Sequence, residues 1–256
     1  MLSNQKQISN PMNQKFNFNY LLIAIAIIVS VFILGAAYKY KFKSSETIVV
    51  TGLAEQDFTS DFIVWTGSFS RTGSDLKVAY TSLKDDEQKV KQYLEQKGIA
   101  ANIIIFSSVD IQKNFSEQYD ANGKSIGNSF TGYTLTEKVK VESKDIERIE
   151  KLSREITELL EQGIEFNSTP PSYYYTKLNE LKIDLLAKAS ADAKLRAETI
   201  AKNSGSSLGG IKKATMGVFQ ITGKNDNENY SYGGAFNTSS KQKTASITLK
   251  VEYQVH

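Results

Sequence analysis

The chain has 256 residues, 40% hydrophobic and 23% charged, enough for one large or two small folded domains with a real core. It has no cysteine, which excludes disulfides, thiolate metal sites and cysteine nucleophiles; its one histidine, His256, is the last residue, which takes the usual general base and zinc ligand out of the interior. The net charge of +3 originates in residues 1–43, which hold five lysines and no acid, while the rest carries 26 basic and 28 acidic residues, a balance that argues against a nucleic-acid partner.

Residues 1–15 read as a short tail. Phe16 to Tyr38 then runs for 23 residues without a charge, FNFNYLLIAIAIIVSVFILGAAY. As a helix this is roughly 34 Å long, against about 30 Å for the hydrocarbon core of a bilayer. Tyr20, Tyr38 and Tyr40 stand near its ends, where amphipathic rings favour the interface. The expectation is a single-pass membrane anchor over 16–38 and a linker over 39–45. A cleaved signal peptide is the competing reading, because Gly35-Ala36-Ala37 offers small residues to a peptidase. The apolar run exceeds the usual signal core of about 7–15 residues, which favours the anchor. Two lysines precede the span and three follow it, a count that leans toward a cytoplasmic C-terminal side.

Past the linker, strand and helix patterns alternate. Ile48-Val49-Val50 predicts a first strand and Phe62 to Phe69 a second, with GLAEQDFTSD between them as a connector. Leu76, Ala79, Tyr80, Leu83, Val90, Tyr93 and Leu94 recur at helical spacing from a Ser74 cap to a Gly98 stop, with Asp86 and Glu87 breaking the stripe. Asn102 to Val109 is β-rich. SEQYDANGKSIGN reads as a polar loop before Phe130 to Val141, the whole forming a long hairpin. A second helix starts at Ser143, with Asp145 in its first turn, and ends at Gly163. After Pro170-Pro171, Thr176 to about Lys202 reads as one long helix ending near Gly205. In its second half Ala189, Ala193, Ala197 and Ala201 form a small-residue ridge that lets another helix or a sheet approach closely, although alanine's helix propensity explains them equally well. Ile211 to Ile221, a polar loop over Thr222–Lys243 and the alternating strand SITLKVEYQV close the chain.

TIVVTGLAE, DFIVWTGSFSR, TGYTLTEKVKV, the helix ending QGI before EF, and KASADAKLRAETIAKNSGSSLGGI, taken in this order, resemble the SIMPL-domain family over residues 46–256. The weight lies in the order of elements, since no single motif is specific. The resemblance implies an α+β domain, here a mixed sheet of several strands packed with three main helices and preceded by the transmembrane helix. It also implies a bacterial, extracytoplasmic (periplasmic) location at the cell envelope and an oligomeric assembly, with no catalytic residues to carry over. An uncleaved anchor and an asparagine-rich late loop depart from the commonest pattern.

Gly52 follows a strand but has neither G-x-G-x-x-G nor a P-loop sequel, so it reads as a structural turn or strand-end glycine. Glu55, Asp57 and Asp61 are expected to be solvated loop acids, and no serine stands in G-x-S-x-G context. Asn114, Asn167, Asn229 and Asn237 open chance N-x-[ST] triplets, and Asp120, Asn122 and Asp226-Asn227 lack calcium-loop spacing. No metal, cofactor or catalytic site is expected. Tyr173, Tyr174 and Tyr175 read either as packing for the start of the long helix or as a partner surface, and with the alanine ridge they are the candidate self-association contacts. The leading expectation is a membrane-anchored interaction module, homo-oligomeric and not an enzyme. The alternative is a small-molecule or glycan-binding domain walled by Tyr173, Tyr230, Tyr232 and Phe236.

Overall fold

The computed structural model describes residues 18–43, 46–225 and 231–256. The expected tail 1–15, the first two residues of the span and Ser44-Ser45 lie outside the described residues. Helix α1 (Phe18–Lys43) follows the apolar run, and none of Leu21–Tyr40 is buried. A helix satisfies its backbone polar groups internally, which is what a bilayer demands, and α1 is long and apolar enough to cross one.

The remaining described elements are β1 (Thr47–Thr59), β2 (Phe62–Gly73), α2 (Leu76–Gln96), β3 (Ile104–Phe106), β4 (Asp110–Tyr119), β5 (Ser125–Ser143), α3 (Ile146–Glu155), β6 (Phe166–Ser168), β7 (Ser172–Tyr174), α4 (Leu178–Asn203), β8 (Leu208–Met216), β9 (Gln220–Gly223) and β10 (Gln242–Val255). The fold is α+β, as the sequence leads one to expect. Its strands divide between a six-stranded sheet of order β3-β5-β2-β6, with β4 on β5 and β7 on β2, and a four-stranded sheet of order β1-β10-β8, with β9 on β10. The chain forms two compact units, one of Met1–Val50, Lys194–Ala214 and Val251–His256, the other of Thr51–Ala193 and Thr215–Lys250.

The larger unit contains the six-stranded sheet and the main core. Ile63, Trp65 and Phe69 of β2 alternate inward, facing Ala79, Leu83, Val90 and Leu94 of α2 and Ile149 and Leu152 of α3. Gly67 sits between Trp65 and Phe69 because the Phe166 ring fills its place: a Cβ there would lie 2.1 Å from that ring. The ring stacks on Trp65 and Phe69 at centroid distances of 5.8 and 6.2 Å. Asp75, not Ser74, caps α2 by accepting from the Val78 amide at 2.9 Å, and Asp145 caps α3 instead of lying in its first turn. The helix from Asp145 tightens into a 3-10 segment over Ile156–Gln162, ending at Gly163 with φ 75°.

Three expectations about connections change. GLAEQDFTSD is not a connector: Gly52 to Thr59 continue β1, and Gly52 is a strand-interior glycine. A Cβ on Gly52 would meet the Ala189 carbonyl oxygen at 2.1 Å, so α4 lies directly on the strand at this point. SEQYDANGKSIGN is mostly strand, with only Asp120–Lys124 left as the turn. The long helix starts at Leu178 and not at Thr176, and Tyr173 and Tyr174 ahead of it belong to β7, pairing with Ile63 and Phe62.

In the smaller unit His256 lies just past the end of β10. Its backbone exchanges hydrogen bonds with Ser207 at 2.9 and 3.0 Å, and Gly209 admits its imidazole and Gln254 closely.

Candidate functional site

A concavity in the larger unit, about 610 Å³, is lined by Leu53 and Glu55 of β1, Val218 and Gln220, Ser231 and Tyr232, and Ser246, Ile247 and Thr248 of β10. Strand alternation explains the wall: Val50, Gly52 and Ala54 are buried while Leu53 and Glu55 point the other way. The floor is held by one side chain. Gln220, 8% exposed, donates from Nε2 to the Ser231 carbonyl at 2.7 Å and accepts the Ala235 amide at 2.5 Å, pinning loop 231–235 to β9. Its amide is thereby engaged in shaping the site. Tyr232 is fully exposed at the mouth, Phe236 is half-exposed and bridges Ile221, and Tyr230 lies outside the described residues.

The acids expected to be free in solvent take separate structural tasks. Asp57 accepts from Thr244 Oγ1 at 2.7 Å and pairs with Lys224 at 2.7 Å, and the Lys224 hydrogen bond holds its carboxyl below the usual carboxylate range. Asp61 accepts the Thr176 amide and hydroxyl at 2.7 and 2.6 Å, fixing the approach to α4. Glu55 alone lines the cavity. Asp57 and Asp61 are thus held by different partners, Thr244 with Lys224 and Thr176.

Buried charge lies elsewhere, under α2. Asp86, 2% exposed, continues the buried stripe instead of breaking it, because Arg71 grips its carboxylate through two nitrogens and also donates to the Gly163 carbonyl at 2.9 Å. Glu137, 1% exposed, faces Lys84 at 3.1 Å, and Lys84 in turn holds Glu87 at 2.6 Å. Burial pushes the Glu137 carboxyl up, partly offset by Lys84. The carboxylate is thus enclosed by the chain and paired with Lys84. Among the described residues no group of three or more His, Asp or Glu side chains is placed to hold a metal ion.

The predicted contact residues are only partly at the surface. Ala189, Ala193, Ala197 and Ala201 are 0–1% exposed, so the ridge is consumed by packing inside the chain and is not a self-association surface. Tyr173 donates its amide to the Thr238 carbonyl at 2.7 Å, and burial together with Glu150 pushes its phenol up to about 12. It also lines a smaller cavity of about 340 Å³ with Pro170 and Pro171. The Tyr175 ring packs on Phe58 at 4.9 Å. The cavity wall residues Leu53, Gln220, Ser246 and Thr248 carry no sequence motif.

A comparison with curated proteins gives no match. A family model described as SIMPL, a protein of unknown function (DUF541), matches residues 48–256. With most of its length matched in this way, the chain belongs to the SIMPL family.

Proposed function

We propose that the chain is a membrane-anchored, extracytoplasmic interaction module that works as a homo-oligomer and has no catalytic activity of its own. The observation that carries this reading is α1: Leu21–Tyr40 is apolar, charge-bearing only at Lys39, and uncovered by the rest of the chain, so it needs an apolar environment. The dispersal of Asp57, Asp61 and Glu137 into structural pairs supports the non-catalytic part. Protease treatment of intact cells tests the topology. Removal of residues 46–256 from outside the cytoplasmic membrane is expected; protection until that membrane is lysed reverses it.

The cavity beside Tyr232 favours a second reading, a binding site for a small apolar molecule or a glycan, because its wall is mainly apolar and its shape is fixed by Gln220. A thermal-shift screen with sugars and small apolar compounds, repeated on Leu53→Asp, separates the two. Stabilisation of the wild type that the variant loses supports binding here.

A further inference from the structure

We propose that β4 is a self-docking strand, on which two copies of the chain pair antiparallel about a twofold axis at Phe115. The inference rests on the homo-oligomeric reading above and supplies its surface.

Sheet register isolates this part of the molecule. Strand β2 ends at Gly73, paired with Tyr133, and β3 pairs only with residues 139–141 of β5. From Asn114 and Gly132 outward, β4 and β5 are therefore a two-stranded ribbon, with no third strand on either side among the described residues. Such a ribbon is marginal alone in water. It nevertheless carries Phe115 and Tyr119 at 58% exposure, Ile126 at 63% and Phe130 at 45%. Phe115, Phe130 and Tyr133 form an edge-to-face chain at 5.9 and 5.0 Å, which carries the apolar surface out along the ribbon from the sheet.

The outer strand is regular. Both register shifts fall on β5, which skips Thr131 and Ile126, so the side chains of β4 alternate without interruption. Ile111, Lys113, Phe115, Glu117 and Tyr119 thus share one face. An antiparallel pairing centred on Phe115 sets Phe115 against its own copy, Lys113 against Glu117 of the second copy, and Ile111 against Tyr119, with each charged contact occurring twice. On the opposite face Asn114 meets Ser116 and Gln112 meets Gln118. The register ends before Asp110 and Asp120 face each other, and Asp120 is already turned inward, accepting the Asn122 and Lys124 amides at 2.9 and 3.0 Å. Opposite charges and aromatic pairs directly across strands stabilise a sheet, and like charges oppose it. The edge of β1 makes the contrast: its Leu53 amide is capped by the Asp192 carboxylate at 2.8 Å, whereas β4 has neither proline nor a bulge to discourage pairing.

Charge exchange in the full chain, held in detergent micelles, tests both occupant and register. Light scattering and sedimentation across a concentration series are expected to show wild-type association. Lys113→Glu and Glu117→Lys should each weaken it by at least about tenfold, and the double variant should restore it. Phe115→Cys, in a chain with no other cysteine, should give a disulfide-linked dimer under mild oxidation. Far-UV circular dichroism should be unchanged throughout, as these side chains are exposed. If wild type and all variants associate equally, the β4 surface is wrong while the oligomeric reading stands. Single swaps that weaken association without rescue by the double variant overturn the register, and a wild type monomeric at every concentration overturns both.

Discussion

Gly52 is dictated by its neighbours, since its φ lies outside the left-handed region. Ala189 and Ala193 present backbone atoms at 2.1 and 2.7 Å from where a Cβ would stand, and backbone gives way only if α4 lifts from the strand. Gly52→Ala should therefore lower stability by about 1–3 kcal/mol, the usual cost of overpacking. A lowered urea midpoint with unchanged slope is the expected reading; an unaltered midpoint contradicts so close a contact. Glu137 makes a pH-dependent prediction. Its folded carboxyl titrates above the ordinary 4.5, chiefly from desolvation, so between those values the native state binds more protons here than the unfolded state. Stability from this site is complete below 4.5 and is lost as pH rises through the folded value. Glu137→Gln keeps an acceptor for Lys84 and removes the titration, so its stability relative to wild type should climb with pH from near 4.5 upward. Urea midpoints of the two proteins at a series of pH values check this, and a constant difference refutes it.

Helix α2 shows why some segments were legible. Its 3.6-residue stripe identified it directly, and the cap lies one residue from the expected position because Asp75, extended at φ −106°, aims its carboxylate at the Val78 amide. Asp75→Ala should cost about 1 kcal/mol, visible in thermal or urea unfolding, with Ser74→Ala nearly silent. Strand β10 was equally clear from its alternation. The missed strands have physical causes. Half of β1 was concealed because its inward positions under α4 are Gly52 and Ala54, so burial there does not read as hydrophobicity. The outer parts of β4 and β5 were concealed because both faces are exposed, leaving polar residues where a half-buried strand shows alternation. The alanine ridge is buried, with Ala189 and Ala193 against Gly52, and a single sequence does not distinguish such an internal neighbour from a second copy. Cavity residues such as Gln220 were illegible for a related reason, since their roles depend on a loop folding back onto β9.

For the chain as a whole, the decisive question is whether α1 stays attached. A signal sequence and an anchor share its apolar character, but they differ in what remains after export. An anchored chain keeps its full-length mass and stays with membranes through an alkaline wash; a cleaved one is shortened near Gly35-Ala36-Ala37 and enters the soluble fraction. The anchor reading predicts the first outcome. It also predicts a graded response to charge at mid-span. Ile28 and Val31 are 67% and 63% exposed near the middle of Leu21–Tyr40, and each lysine placed there should cost about 2.5–3.5 kcal/mol of insertion free energy. Ile28→Lys with Val31→Lys should therefore move most of the chain out of the washed membrane fraction, while a pair of lysines at Tyr38 and Tyr40, close enough to the interface to reach water, should leave it in place. Full-length protein recovered with membranes in the wild type and lost only from the mid-span variant supports a permanent tether. A wild type found shortened and soluble makes α1 a leader instead, and detaches the oligomer proposed here from the bilayer.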